Sequence, residues 1–248
     1  MLKKLTLALA ASLAMGAAGA ADITVSAAAS LTNAFRDVAQ AFEAAHPGNK
    51  VLLNFAASDA LVQQIAKGAP VDVFASADQD AMDKADGLKL LAPGSRRNFV
   101  SNSLVLIVPA ASTLTLKSVA DLRQPGVARI TIGNPASVPI GRYAREVLEK
   151  AGEWRAVESK MIYAVSVRQS LDYVARGEVD AGVVYATDVG AQKDKVKVAV
   201  PLQSVTPVTY PVAALSGAPN GAGAAQFVAY LVAPAGQAIL AKYGFGRP

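Results

Sequence analysis

Asp22-Ile23-Thr24-Val25-Ser26-Ala27-Ala28-Ala29-Ser30-Leu31-Thr32-Asn33-Ala34-Phe35 is the stretch from which the rest of the chain can be read. Ile23 to Val25 has the β-branched, apolar character of a short buried strand. Ala27 to Ala29 reads as a turn of small side chains. From Leu31 the apolar residues Leu31, Phe35, Val38 and Phe42 recur at helical spacing. Ser30 stands at the junction, where its hydroxyl is placed to cap the helix. The first N–H groups of a helix have no partner inside it, and the macrodipole adds positive potential there. Small residues at such a point leave backbone open to a ligand that accepts hydrogen bonds, and an anion is the natural candidate.

The same strand-to-helix handover repeats downstream, which predicts an α/β protein with largely parallel sheets. Strands are expected at Val51 to Ala56, Val71 to Ala75, Asn102 to Val108, Arg129 to Ile132, Met161 to Val165, Val179 to Tyr185 and Val208 to Leu215. Helices are expected after Ser58, over Asp78 to Ala85, Ile140 to Lys150, Val167 to Arg176, Ala222 to Val232 and Ala235 to Tyr243. The strand before Pro109 and the Pro207–Pro211 region are the expected crossings between two lobes.

The 248 residues and 52% apolar content suit one large or two modest packed domains. Residues 1–21 differ in kind. Lys3 and Lys4 precede the apolar run Leu5 to Met15 and the small residues Ala18-Gly19-Ala20-Ala21, the pattern of a cleaved secretory signal peptide. Without Lys3 and Lys4 the formal charge falls from +5 to +3, which is no nucleic-acid footprint. There is no Cys. The fold must therefore rest on its core, and a lipidated N-terminal Cys is excluded, so a soluble periplasmic protein is expected.

Four junctions place a small or polar residue where a strand hands over to a helix: Ser30, Ser58, the Ser137-to-Gly141 loop and Ser166-Val167. Open α/β sheets put ligands at the carboxyl ends of their strands, so facing lobes would bring these junctions to one cleft. Each Ser is also simply a good N-cap. Tyr185 ends an apolar strand, where its hydroxyl either enters the cleft or finds a local partner in the core. Asp72, Asp78, Asp80, Asp83 and Asp86 lack calcium-loop spacing and read as a solvated helix start. His46, the single His, precedes Pro47-Gly48 and reads as a surface residue. A multi-His zinc site is excluded, and no Gly-x-Ser-x-Gly, Ser-x-x-Lys or Walker loop follows the leader. An enzyme is not expected.

Several segments carry a family resemblance. They are Ala27 to Phe35, Asn54-Phe55-Ala56-Ala57-Ser58, Gly68 to Asp78, Gly133 to Gly141, Gly182-Val183-Val184-Tyr185 and Lys242-Tyr243-Gly244-Phe245-Gly246. Together and in this order they resemble the periplasmic molybdate-binding proteins of ABC transporters. The resemblance implies a two-lobe periplasmic binding protein fold, each lobe a mostly parallel sheet flanked by helices, with ligand in the interlobe cleft. It implies a signal peptide over 1–21, lobe I over 22–103 and 209–248, and lobe II over 104–208. Molybdate or tungstate would be held by Ser30 and Ser58 through side chain and backbone, by the backbone N–H groups of Ile140 and Val167, and by the Tyr185 hydroxyl. Molybdenum enters only as the oxyanion, with no cofactor. The implied partner is a membrane permease, and a monomer is expected. Asp59 departs from the small neutral residue usual in the family, and is expected to cap its helix or face water. The rival readings are a carrier for sulfate, another small anion or an organic solute, and a periplasmic Ser hydrolase.

Overall fold

Residues 22–248 are described by the computed structural model, and their apolar runs form two five-stranded sheets. β1 (Asp22–Ala28) leads through a tight turn, Ala29–Leu31, into α1 (Thr32–Ala45). β2 (Lys50–Ala56), α2 (Ser58–Ala66), β3 (Val73–Ala75), α3 (Gln79–Gly87) and β4 (Arg97–Ser101) follow. The chain then enters the second sheet with β5 (Leu104–Pro109), β6 (Ile130–Gly133), α4 (Pro139–Lys150), α5 (Trp154–Val157) and β7 (Met161–Ala164). α6 (Val167–Ala175), β8 (Ala181–Tyr185), α7 (Ala186–Val189) and β9 (Val196–Leu202) complete that sheet. β10 (Thr209–Ala214) returns to the first sheet, and α8 (Gly221–Val232) and α9 (Pro234–Lys242) close the chain.

The strand orders are β2-β1-β3-β10-β4 and β7-β6-β8-β5-β9. Each has the same design: three parallel strands, then a reversed strand, β10 or β5, bearing the last strand antiparallel on its far edge. The two-lobe α/β architecture expected from the sequence is therefore present, with mixed sheets in which one strand of each opposes the rest. The first crossing falls at Asn102-Ser103, ahead of the strand that ends at Pro109, and the return lies between Leu202 and Thr209. The first lobe is centred on a ring cluster in which Phe35 lies 5.9 Å from Phe99 and Phe42 lies 5.3 Å from Phe227. Each such buried ring contributes roughly 1.5–3 kcal/mol. A satellite core of Leu61, Val62, Phe74 and Met82 seats α2 and α3.

Three local expectations change. β1 continues to Ala28, so the small-residue turn is confined to its end. Ser30 caps no helix: its hydroxyl lies 2.9 Å from the Tyr210 hydroxyl. The Asp cluster is not uniformly solvated. Asp72 is buried and accepts from the backbone N–H groups of Thr24 and Asn220 at 2.7 and 2.6 Å, joining two ends of the first lobe. Asp78 is buried and caps α3 by accepting from Ala81 N. No group of three or more potential metal ligands occurs among the described residues. His46 lies half-buried, stacked 4.3 Å from the Phe42 ring. No single helix among the described residues is long and apolar enough to cross a membrane. The leader expected over 1–21 lies outside the described residues.

Candidate functional site

Four helix-starting turns converge where the two sheets face each other. Ser30 sits in the tight turn before α1, Ser58 is the first residue of α2, Ile140 lies in the first turn of α4, and Val167 opens α6. Their first-turn N–H groups have no partner within the helix, and the four macrodipoles add positive potential. All four residues and Tyr185 line one cavity. The rest of its lining is Ala, Val and Pro, with no charged side chain. The five residues singled out in the sequence are thus brought together by the fold, all buried.

Backbone closeness at α4 has a specific cause. Pro139 at the first helical position fixes φ for the helix start. A Cβ on Gly141 would meet the Gly133 carbonyl oxygen at 2.0 Å, so only glycine lets α4 seat on the end of β6. Ser166 caps α6 by accepting from Gln169 N at 3.3 Å, and Val167, the first residue of that helix, lines the cavity.

The hydroxyls are held from behind by donors. Ser58 Oγ accepts the Ala77 N–H at 3.0 Å. Asn102 Oδ1 accepts the Ser103 N–H at 2.9 Å, which turns its amide nitrogen toward the Tyr210 hydroxyl at 3.2 Å and Thr187 Oγ1 at 2.9 Å. Tyr210 accepts from Asn102, and its hydroxyl shares with Ser30 Oγ a hydrogen bond in which either oxygen can donate. Ser58 Oγ is engaged by an incoming donor, which leaves its proton free to point into the cavity, and Ser30 has the same freedom when Tyr210 donates to it. Tyr185 donates to the Ala77 carbonyl at 3.4 Å and packs edge-on to Tyr210 at 5.5 Å. Burial pushes its phenol well above the ordinary value, so it stays a neutral donor.

Asp59 neither caps α2 nor faces water. The cap position is Ala57, and Asp59 is 2% exposed. Its carboxylate is held by Lys84 on one oxygen and by Arg142 Nη2, at 2.7 Å, on the other. Burial raises its pKa, but the hydrogen bonds from Lys84 and Arg142 outweigh that and hold it below the usual range. A neutralised carboxylate behind Ser58 removes the repulsion that a bare one would exert on an anion. Tyr210, Asn102 and Arg142 carry no local sequence signal, because each acts on residues far away along the chain.

Residues 23–246 match the family described as bacterial extracellular solute-binding protein. The chain belongs to that family. This solute-binding protein is 41% identical over 230 residues to the molybdate-binding protein ModA of Escherichia coli (strain K12), covering 90% of this chain and 88% of that one. It is 36% identical over 244 residues to the molybdate-binding protein ModA of Haemophilus influenzae, covering 97% and 96%. In structure it resembles the Azotobacter vinelandii periplasmic molybdate-binding protein, with a TM-score of 0.80 at 25% identity over 91% of this chain and 99% of that one. The family resemblance drawn from the sequence motifs holds. As a solute-binding protein, the chain is not an enzyme.

Proposed function

We propose that this protein captures molybdate, and tungstate with it, in the periplasm and hands it to the membrane permease of an ABC transporter. The observation that carries this reading is the donor-rich cavity: two serine hydroxyls, two helix-start N–H groups and a phenol held only by a 3.4 Å bond to the Ala77 carbonyl, which a ligand oxygen would replace, with no charged lining side chain. A tetrahedral dianion without protons has only acceptors to offer and is satisfied by such a set. A protonated phosphate would bring a donor with nowhere to go, a mismatch of roughly 1–3 kcal/mol. Sulfate has no such proton, so cavity size must reject it. In this reading Ser30, Ser58, Ile140, Val167 and Tyr185 are the ligand donors, and molybdenum is held only as its oxyanion. Lobe I is residues 22–103 with 209–248, lobe II is 104–208, and the leader is removed on export.

Related molybdate-binding proteins support this choice of ligand. The test is thermal unfolding with each anion in turn, since a ligand bound only by the native state raises the melting temperature by mass action. Molybdate and tungstate at micromolar concentration should raise it, while equal sulfate or phosphate leaves it unchanged. Equal shifts from all four anions would reduce the reading to unselective anion binding.

A further inference from the structure

Two arginines of the second lobe reach across to the first, and each follows a proposed backbone donor. Arg142 lies two residues after Ile140 on α4, and Arg168 directly follows Val167 on α6. Arg142 Nη2 is 2.7 Å from Asp59 Oδ2, next to Ser58, and Nε is 2.8 Å from Asp78 Oδ2, next to Ala77. Arg168 Nη1 donates to Asn33 Oδ1 at 2.8 Å and Nη2 to the Ser30 carbonyl at 3.4 Å, three residues apart in one turn. Neither arginine lines the cavity. Each grips the wall of the opposite lobe just behind a cavity residue.

We propose that Arg142 is a positioning residue for ligand retention: a clasp that draws α4 and its Ile140 N–H onto lobe I while keeping its own charge off the ligand. The clasp geometry exists only when the lobes meet, which is also when donors from both lobes can surround one guest. It therefore biases the open–closed equilibrium toward the form that retains ligand. Without Arg142, Asp78 would stand unpaired near a dianion, and Asp59 would keep only Lys84. With Arg142 between them, closure brings the opposite charge into register before repulsion can act. Arg168 contacts neutral acceptors on the first lobe, so it orients that crossing without the same electrostatic bias.

The ligand arm of this proposal rests on the oxyanion reading; the conformational arm does not. The chain has no Cys, so Lys67→Cys and Lys150→Cys, at exposed positions in the two lobes, accept spin labels without background. In the full chain free of ligand, Arg142→Gln should lengthen the interlobe distance. In stopped flow, molybdate release should speed up by about tenfold, within the usual range of coupling between sites. Arg142→Lys keeps the charge but loses the planar fork, and should fall between the two. Should Arg142→Gln fail to fold, Asp78→Asn tests the same crossing, because Asn preserves the helix cap and removes the charge. An unchanged distance overturns the clasp. A longer distance with release as slow as the wild type's overturns its role in retention. If the wild type binds no oxyanion, the ligand reading fails and the distance still decides whether the clasp exists.

Discussion

The Ser30 and Tyr210 hydroxyls lie 2.9 Å apart although the residues are 180 positions apart in sequence. Tyr210 is 0% exposed, and burial pushes its phenol well above the ordinary value, so it carries its proton throughout the physiological range. Asn102 supplies a donor to the same oxygen, which leaves the Tyr210 proton available to Ser30. Tyr210→Phe keeps the ring packing against Tyr185 and Phe245 and removes the hydroxyl that Ser30 and Asn102 share. The expected result is molybdate binding weaker by about 1 kcal/mol, or roughly fivefold. Phosphate should gain relative to molybdate, since Ser30 can then turn its oxygen toward a protonated guest. Titration calorimetry with both anions reads the ratio, and an unchanged ratio would show that Tyr210 does not set donor polarity.

Ser58→Ala should weaken molybdate binding more than His46→Ala. Removing the Ser58 hydroxyl takes a donor from the cavity and also strands the buried Ala77 N–H that it accepts. A stability loss of roughly 1–3 kcal/mol should accompany the loss of affinity. His46 stacks on Phe42 at the far end of α1 and is not part of the cavity lining. The reverse order of affinities would overturn the assignment of the site.

What was legible in the sequence was what local chemistry writes there. Ser30, Ser58, Ile140 and Val167 stand out because a strand of apolar residues meets a turn of small ones just before helical periodicity begins. Other features had no local sign. Arg142 meets Asp78 and Asp59 across 64 and 83 positions, and Asn102 meets Tyr210 across 108. Asp59 looked like a solvent-facing or capping residue because nothing nearby in sequence announces Arg142. Strands β4 and β9 escaped for another reason. They are edge strands whose half-exposed residues mix charge with apolar character, so their pattern is not distinct from loop.

Gly141→Ala should be far costlier than its single methyl suggests. The added Cβ would meet the Gly133 carbonyl oxygen at 2.0 Å and the Asn134 carbonyl carbon at 2.9 Å, both backbone, so α4 must move. Overpacking of this kind costs typically 1–3 kcal/mol, and displacement of α4 carries the Ile140 N–H away from its place. Gly87→Ala, at the end of α3 with nothing within 4 Å of the new carbon, is the control and should be neutral or slightly stabilising. Denaturant midpoints with molybdate titrations separate the two effects. Unchanged binding in Gly141→Ala would mean that α4 contributes no backbone donor.

Asp188 makes the stability pH-dependent in an unusual direction. It is fully buried on α7 beside Arg168, whose Nε lies 2.8 Å away. Burial pushes its carboxyl up to about 6 despite the opposing pull of Arg168. A carboxyl whose folded pKa exceeds its unfolded value of about 3.9 binds its proton more tightly in the native state. Its contribution is therefore complete below pH about 4 and lost as pH rises through about 6. Asp188→Asn keeps the size and removes the titration. Relative to wild type, the variant should gain up to about 3 kcal/mol between pH 4 and pH 7, whatever its offset at pH 4. Urea unfolding of both proteins at intervals across that range gives the difference directly. A flat difference would mean that Asp188 titrates in the native protein as it does in the unfolded chain, with Arg168 cancelling the effect of burial.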